Sequence, residues 1–98
     1  MKHDLFVGVT TWNSESFLPH CLRSIRHTTS GLDVRVGVVD NLSQDKSVEI
    51  AREFGADVHL ENCSQAIALN RLLDMSTGRF TLLLHSDVVL LSEDWFAA

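Results

Sequence analysis

The sequence predicts an α/β domain with a parallel sheet covered by helices on both faces. Three observations carry that prediction. Apolar runs of strand length alternate with segments of helical periodicity in the order β-α-β-α-β-α-β, the runs are apolar on both faces, and polar residues gather where they end. Ninety-eight residues with 45% hydrophobic content suit one compact domain, residues 1–98, with a modest core.

Leu5-Phe6-Val7-Gly8-Val9 is the first strand, and Thr10-Thr11-Trp12-Asn13-Ser14 reads as the polar loop after it. From Ser16 to about Thr28, Leu18, Cys21, Leu22 and Ile25 recur at helical spacing. Pro19 is tolerated there because backbone N–H groups in a first turn have no intrahelical acceptor. Val34 to Asp40 is a β-branched second strand ending on a carboxylate. Asn41-Leu42-Ser43-Gln44-Asp45 carries turn and capping chemistry, and Val48, Ala51 and Phe54 mark a short amphipathic helix closed by Gly55. Val58-His59-Leu60 is a brief third strand, followed by the polar Glu61-Asn62-Cys63-Ser64. Ala66, Leu69, Leu72 and Leu73 form the apolar stripe of a third helix predicted to close at Gly78, and Phe80 to Leu84 is the fourth strand. Ser92, with Glu93 and Asp94 after it, reads as the start of a further helix and suggests the front part of a longer protein.

In an open parallel sheet, ligands bind at the carboxyl ends of the strands, where the strand order reverses. That rule gathers Thr11, Trp12, Asp40, Glu61, Asn62, His85 and Asp87 on one rim. An extended backbone through Thr81 to Leu90 would send His85 and Asp87 to the same side, offering two metal-ligand types at one edge. The plainer alternative is a turn acid beside a half-buried histidine. Trp12 either packs over the first helix or offers apolar surface to a ligand, and Asp40 either caps its own turn or accepts hydrogen bonds from a ligand.

Composition narrows the function. Eight basic against thirteen acidic residues give a net charge of -5 without any basic cluster, which excludes a nucleic-acid surface. The first loop has no glycine, so the dinucleotide-binding fingerprint is absent. Cys21 and Cys63 lack metal-ligand spacing and predict unpaired thiols in a reducing compartment. The N-terminal apolar run is too short for a signal peptide or a membrane span, so the expectation is a cytoplasmic protein, or one at the cytoplasmic face of a membrane in full-length form. His3, His20, His27 and His59 share no spacing, and no nucleophile, base and orienter can be assembled.

Val7-Gly8-Val9-Thr10-Thr11-Trp12-Asn13, Val38-Val39-Asp40 through Asp45, Glu61-Asn62 with Ala68 and Asn70, and Gly78-Arg79-Phe80 leading into His85-Ser86-Asp87-Val88-Val89-Leu90 follow one another in order. Over nearly the whole chain they resemble the N-terminal half of a family 2 glycosyltransferase of the GT-A fold. The resemblance implies a Rossmann-like three-layer sandwich, with a mostly parallel sheet truncated after the fourth strand, forming the donor-binding half of the domain. It implies Thr11 and Asp40 at the base and ribose of a nucleotide-diphosphate sugar, Trp12 beside the base, and Asn62 as a further contact. His85-Ser86-Asp87 stands in for the DxD signature, with Asp87 holding a divalent metal, Mn²⁺ or Mg²⁺, against the diphosphate. A hard cation on a carboxylate stabilises the charge that develops on such a leaving group.

The sequence departs from the family pattern at several positions. His85 replaces the usual acid, which favours a ribose or water-mediated contact and a preference for Mn²⁺. Ser64 replaces a frequent glycine, and Leu72 a small residue. Leu69 stands where an arginine is common, leaving Arg71 a phosphate contact as its one candidate role. The implied activity is inverting sugar transfer to an unknown acceptor. The catalytic base would lie in the second half, so the 98 residues alone are expected to bind nucleotide weakly and transfer nothing. A non-catalytic nucleotide-binding or interaction module with a degenerate metal site is the alternative. A receiver-type regulatory domain would need an acidic cluster near the first strand and a late lysine, and neither occurs. A sheet cut at this point would expose an edge, which predicts a homodimer.

Overall fold

Strands and helices alternate along the chain as β1 (His3–Thr11), α1 (Leu18–Thr28), β2 (Val34–Asp40), α2 (Ser47–Phe54), β3 (Asp57–Leu60), α3 (Gln65–Met75) and β4 (Gly78–His85). This computed structural model describes residues 3–76 and 78–88. Val89, Leu90 and the helix start expected at Ser92 lie outside the described residues.

The sheet has the order β3-β2-β1-β4, and all its pairings are parallel. The chain builds outward from β1 through β2 to β3, then crosses back to place β4 on the other side of β1. The strand order therefore reverses between β1 and β4, where such a sheet opens a crevice at its carboxyl edge. Being central and covered on both faces, β1 must be apolar throughout its middle: Leu5, Phe6, Val7 and Val9 are all buried.

Alternation along the strands sorts side chains to two layers. Leu5, Val7 and Val9 pack with Leu18, Leu22 and Ile25 of α1 and Ala51 of α2, whereas Phe6 and Val39 pack with Ala68 and Leu72 of α3. Helices thus cover both faces, as the sequence predicts. On the α3 side the sheet carries Gly8 and Gly37. A Cβ on Gly8 would lie 3.1 Å from Leu72 Cβ, and one on Gly37 would lie 2.5 Å from Phe6 Cζ. Small residues in the sheet let α3 sit close.

That close approach also sets which face of α3 is buried. Ala68 and Leu72 are buried and Leu69 partly so, but Ala66 and Leu73 are exposed, contrary to the predicted stripe. Gly78 does not close the helix, because α3 ends at Met75 and Gly78 begins β4, paired with His3. Its missing side chain is needed there, since a Cβ would stand 2.5 Å from the backbone nitrogen of Phe6. Helix α1 starts two residues after the predicted Ser16, because Phe17 and Leu18 donate their N–H groups to the Ser14 carbonyl in a preceding turn. Strand β1 runs two residues past Val9, since Thr10 and Thr11 find ladder partners in Val39, His85 and Asp40 and their β-branched side chains suit a strand.

Candidate functional site

A cleft of about 430 Å³ opens at the carboxyl edge, over the β1/β4 reversal. Thr10, Thr11, Trp12, Asn13 and Ser14 line it from the end of β1, and Asn41 and Cys63 from the ends of β2 and β3. Ser64 and Gln65 contribute from the start of α3, and His85, Ser86 and Asp87 from the end of β4. Its size and mixed lining suit a small polar ligand.

The two faces of the sheet give this edge two different polar networks. On the α1/α2 face, Thr11 and Asp40 are register partners. The Asp40 side chain is fully buried and accepts hydrogen bonds from Thr11 Oγ1 (2.5 Å), Ser43 Oγ (2.6 Å) and the Ser43 backbone N–H (2.7 Å). Burying a carboxylate is costly unless such donors replace water, and here three do. To deliver Ser43, the chain passes through Leu42 at φ 53°, a left-handed conformation that a leucine adopts only under constraint.

The loops after β1 and β2 are bonded together beyond this point. Asn13 N–H donates to Ser43 Oγ, Gln44 N–H to Asn13 Oδ1, Ser14 N–H to Ser47 Oγ and Glu15 N–H to Asp45 Oδ2. Burial alone would raise the Asp45 pKa, but hydrogen bonds from Ser47 and Glu15 outweigh it and hold the carboxyl below the usual range.

On the α3 face, Thr10 and His85 are register partners. β4 stops at His85. Ser86 and Asp87 form a turn in which Val88 N–H returns to the His85 carbonyl, so the strand alternation expected to align His85 with Asp87 does not extend that far. The turn still brings both residues to the cleft, where each is exposed. Ser86 Oγ donates to Ser14 Oγ at 2.7 Å and ties this turn to the loop after β1. Beneath it lies Cys21, buried, with Sγ 3.9 Å from the His85 carbonyl oxygen. Burial, and secondly the negative charge of Asp87, push the Cys21 thiol up to about 11.

The predicted site residues therefore divide. Thr11, Trp12, His85 and Asp87 line the cleft, and Trp12 is 63% exposed at its mouth instead of packed over α1. Asp40 stands one layer behind Thr11 with its oxygens already engaged, so the cleft wall at β2 is Val39 and Asn41. Asn62 is exposed and outside the lining. Arg71 is held by Glu61 at 2.9 Å, beside a His59 to Glu61 contact of 2.8 Å, and is not part of the cleft. Its hydrogen bond, followed by that of His59, keeps the Glu61 carboxyl low. Sequence reasoning missed Asn41, Gln65 and Ser14. Their signal was positional, since each lies within three residues of a strand end or opens the helix that follows one.

Among the described residues, no group of three histidine, cysteine or acidic side chains could hold a metal. Asp87, with His85 beside it, is the acidic ligand present in the cleft. This donor set fits a hard divalent cation that takes one carboxylate from the protein and the rest of its shell from phosphate oxygens and water. It does not fit a closed protein cage.

A family model described as "Glycosyl transferase family 2" matches residues 6–97. The chain belongs to glycosyl transferase family 2. Among curated family relatives, the PGL/p-HBAD biosynthesis glycosyltransferase of Mycobacterium tuberculosis is 33% identical over 91% of this chain and 37% of its own length. The present chain thus spans little more than a third of that relative. Solved structures show the same fold. TarS 1-349 of S. aureus superposes with a TM-score of 0.82 at 22% identity, covering 96% of this chain and 30% of that one. The mannosyltransferase PcManGT of Pyrobaculum calidifontis, in complex with GDP-Man and Mn²⁺, gives 0.81 at 23% identity over 99% of this chain and 31% of its own. Glucosyl-3-phosphoglycerate synthase of Mycobacterium tuberculosis, with Mn²⁺ and UDP, gives 0.79 at 21% identity over 97% and 37%. The α/β architecture is therefore that of the GT-A glycosyltransferases. No helix among the described residues is long and apolar enough to cross a membrane.

Proposed function

We propose that this family 2 chain holds a nucleotide-diphosphate sugar at the β1/β4 reversal, for transfer of the sugar to an acceptor bound by the remainder of the domain. The observation that carries the reading is the placement of Asp87 and His85 in the same cleft as an exposed Trp12. An indole face suits a base, and a carboxylate suits a cation shared with a diphosphate. Thr11 and Asn41 border the base and ribose, and Asp40 supports them from behind. The GDP-Man, UDP and Mn²⁺ carried by structural relatives support the same reading.

When bound, the cation would neutralise charge on the departing diphosphate, and Asp87 would hold it in place. The chain's own residues orient the nucleotide and shield it from water. In this proposal transfer is inverting, and acceptor recognition and the catalytic base belong to the portion of the relatives that this chain does not span. Residues 1–98 then bind donor without turning it over.

Calorimetric titration with UDP and with GDP, each with and without Mn²⁺, tests the proposal. Binding of at least one nucleotide is expected to strengthen with Mn²⁺, and Asp87→Ala to weaken that binding about tenfold or more, roughly 1.4 kcal/mol. Binding that ignores both the metal and Asp87 would instead favour a nucleotide-binding module without metal chemistry.

A further inference from the structure

Thr10, Gln65 and His85 meet on the α3 face of the cleft. Gln65 is the first residue of α3, directly after the Ser64 N-cap. Its Nε2 lies 3.1 Å from Thr10 Oγ1 and 3.2 Å from His85 Nδ1, and Thr10 Oγ1 lies 3.4 Å from the same ring nitrogen. The backbone fixes the arrangement: Thr10 and His85 are register partners, and Ser86 N–H donates to the Thr10 carbonyl at 3.1 Å.

With the Gln65 amide oriented so that its nitrogen meets both Thr10 Oγ1 and the ring, the ring nitrogen accepts, because an amide nitrogen only donates hydrogen bonds. A neutral imidazole that accepts at Nδ1 carries its proton on Nε2. This is the reverse of the arrangement around a metal-binding histidine, whose second nitrogen characteristically donates to a carboxylate or carbonyl. We propose that Gln65 is the positioning residue that fixes His85 as the Nε2–H tautomer, so that His85 presents the cleft with a hydrogen-bond donor rather than a metal-binding lone pair. A donor at this position suits a ribose or phosphate oxygen and leaves the cation to Asp87. What His85 would meet rests on the donor-site reading above, but the tautomer does not.

Nitrogen-15 correlation spectra of the imidazole rings in the ligand-free protein, recorded with the rings neutral, report the tautomer directly. The wild-type protein is expected to show His85 protonated at Nε2. Gln65→Glu replaces the amide by a carboxylate, which can only accept, so the proton should move to Nδ1. Gln65→Met, which keeps the length without any donor, should give a mixture of the two tautomers. A wild-type ring protonated at Nδ1, or a tautomer unchanged in a folded Gln65→Glu protein, would overturn the assignment. Because the wild-type spectrum needs neither variant nor nucleotide, it decides the tautomer even if the chain binds no nucleotide at all.

Discussion

The two faces of one sheet edge carry opposite kinds of polar chemistry. On the α1/α2 face, Asp40 is enclosed and takes three hydrogen bonds, and the loops after β1 and β2 are bonded to each other. On the α3 face, His85 is held by one ring nitrogen. Asp87 stands exposed in the cleft and, among the described residues, takes no side-chain hydrogen bond. Both carboxylates come from the end of a parallel strand or the turn directly after it. They differ in the path of the chain beyond: residues 41–47 fold back over Asp40, whereas the turn at Ser86 and Asp87 leaves the second carboxylate in the open. A carboxylate whose oxygens are saturated by the fold stabilises a framework, and one left open is available to a ligand.

The largest test of this contrast is Asp40→Ala. It would leave the buried Thr11 hydroxyl and both partly buried Ser43 donors without their acceptor, so a loss of about 3 kcal/mol is expected in urea unfolding. A change within about 0.5 kcal/mol, as for an ordinary surface substitution, would erase the distinction between the two faces.

A smaller effect concerns Cys21 of α1, which lies under the turn at His85 from the α1/α2 side. The Cys21 thiol is raised from 9.0 to about 11, so the native state keeps its proton at a pH where the unfolded chain has lost it. The stability contributed by the neutral thiol is therefore complete below about pH 9 and declines as pH rises toward 11. Over that window the decline is on the order of 2 kcal/mol, and it should disappear from the alkaline unfolding profile of Cys21→Ala. A wild-type profile parallel to that of the variant would mean that water reaches the thiol beneath the β4 turn.

The smallest effect belongs to the closed side. Leu42 holds a left-handed conformation so that Ser43 can reach Asp40, and Leu42→Gly relieves that cost at some expense in unfolded-state entropy. A gain of roughly 0.5 kcal/mol in thermal or urea unfolding is expected. A loss would mean that the exposed Leu42 side chain contributes packing the loop needs.

Much of the fold was legible before the structure. The alternation of apolar runs with helical stripes, from Leu5 to Leu84, predicted four strands, three helices and their layering, because burial on two faces leaves a direct mark on residue type. The rim was legible too, since ligand-facing residues of such a sheet must follow its strands. Errors arose where a tertiary contact set the answer. Thr10 and Thr11 looked like loop, but Thr10 had ladder partners on both sides and Thr11 one in β2. Ala66 and Leu73 looked like core, but the approach of α3 to Gly8 and Gly37 turned Ala68 inward beside the correctly predicted Leu72. Gly78 looked like a helix stop and proved to be a point of close backbone packing.

By itself, then, the sequence determined the class of fold, the family pattern and the strand ends at which chemistry could gather, since periodicity and residue type encode burial locally. Only the tertiary structure decided which of those polar residues face the cleft. Asp40 and Asp87 are alike as residues and similarly placed after apolar runs, and one is enclosed while the other is open. That outcome depends on whether the chain beyond each strand folds back over its carboxylate and on the pairing of β1 with β2 that brings Thr11 to Asp40, and the second of these lies in no local stretch of sequence.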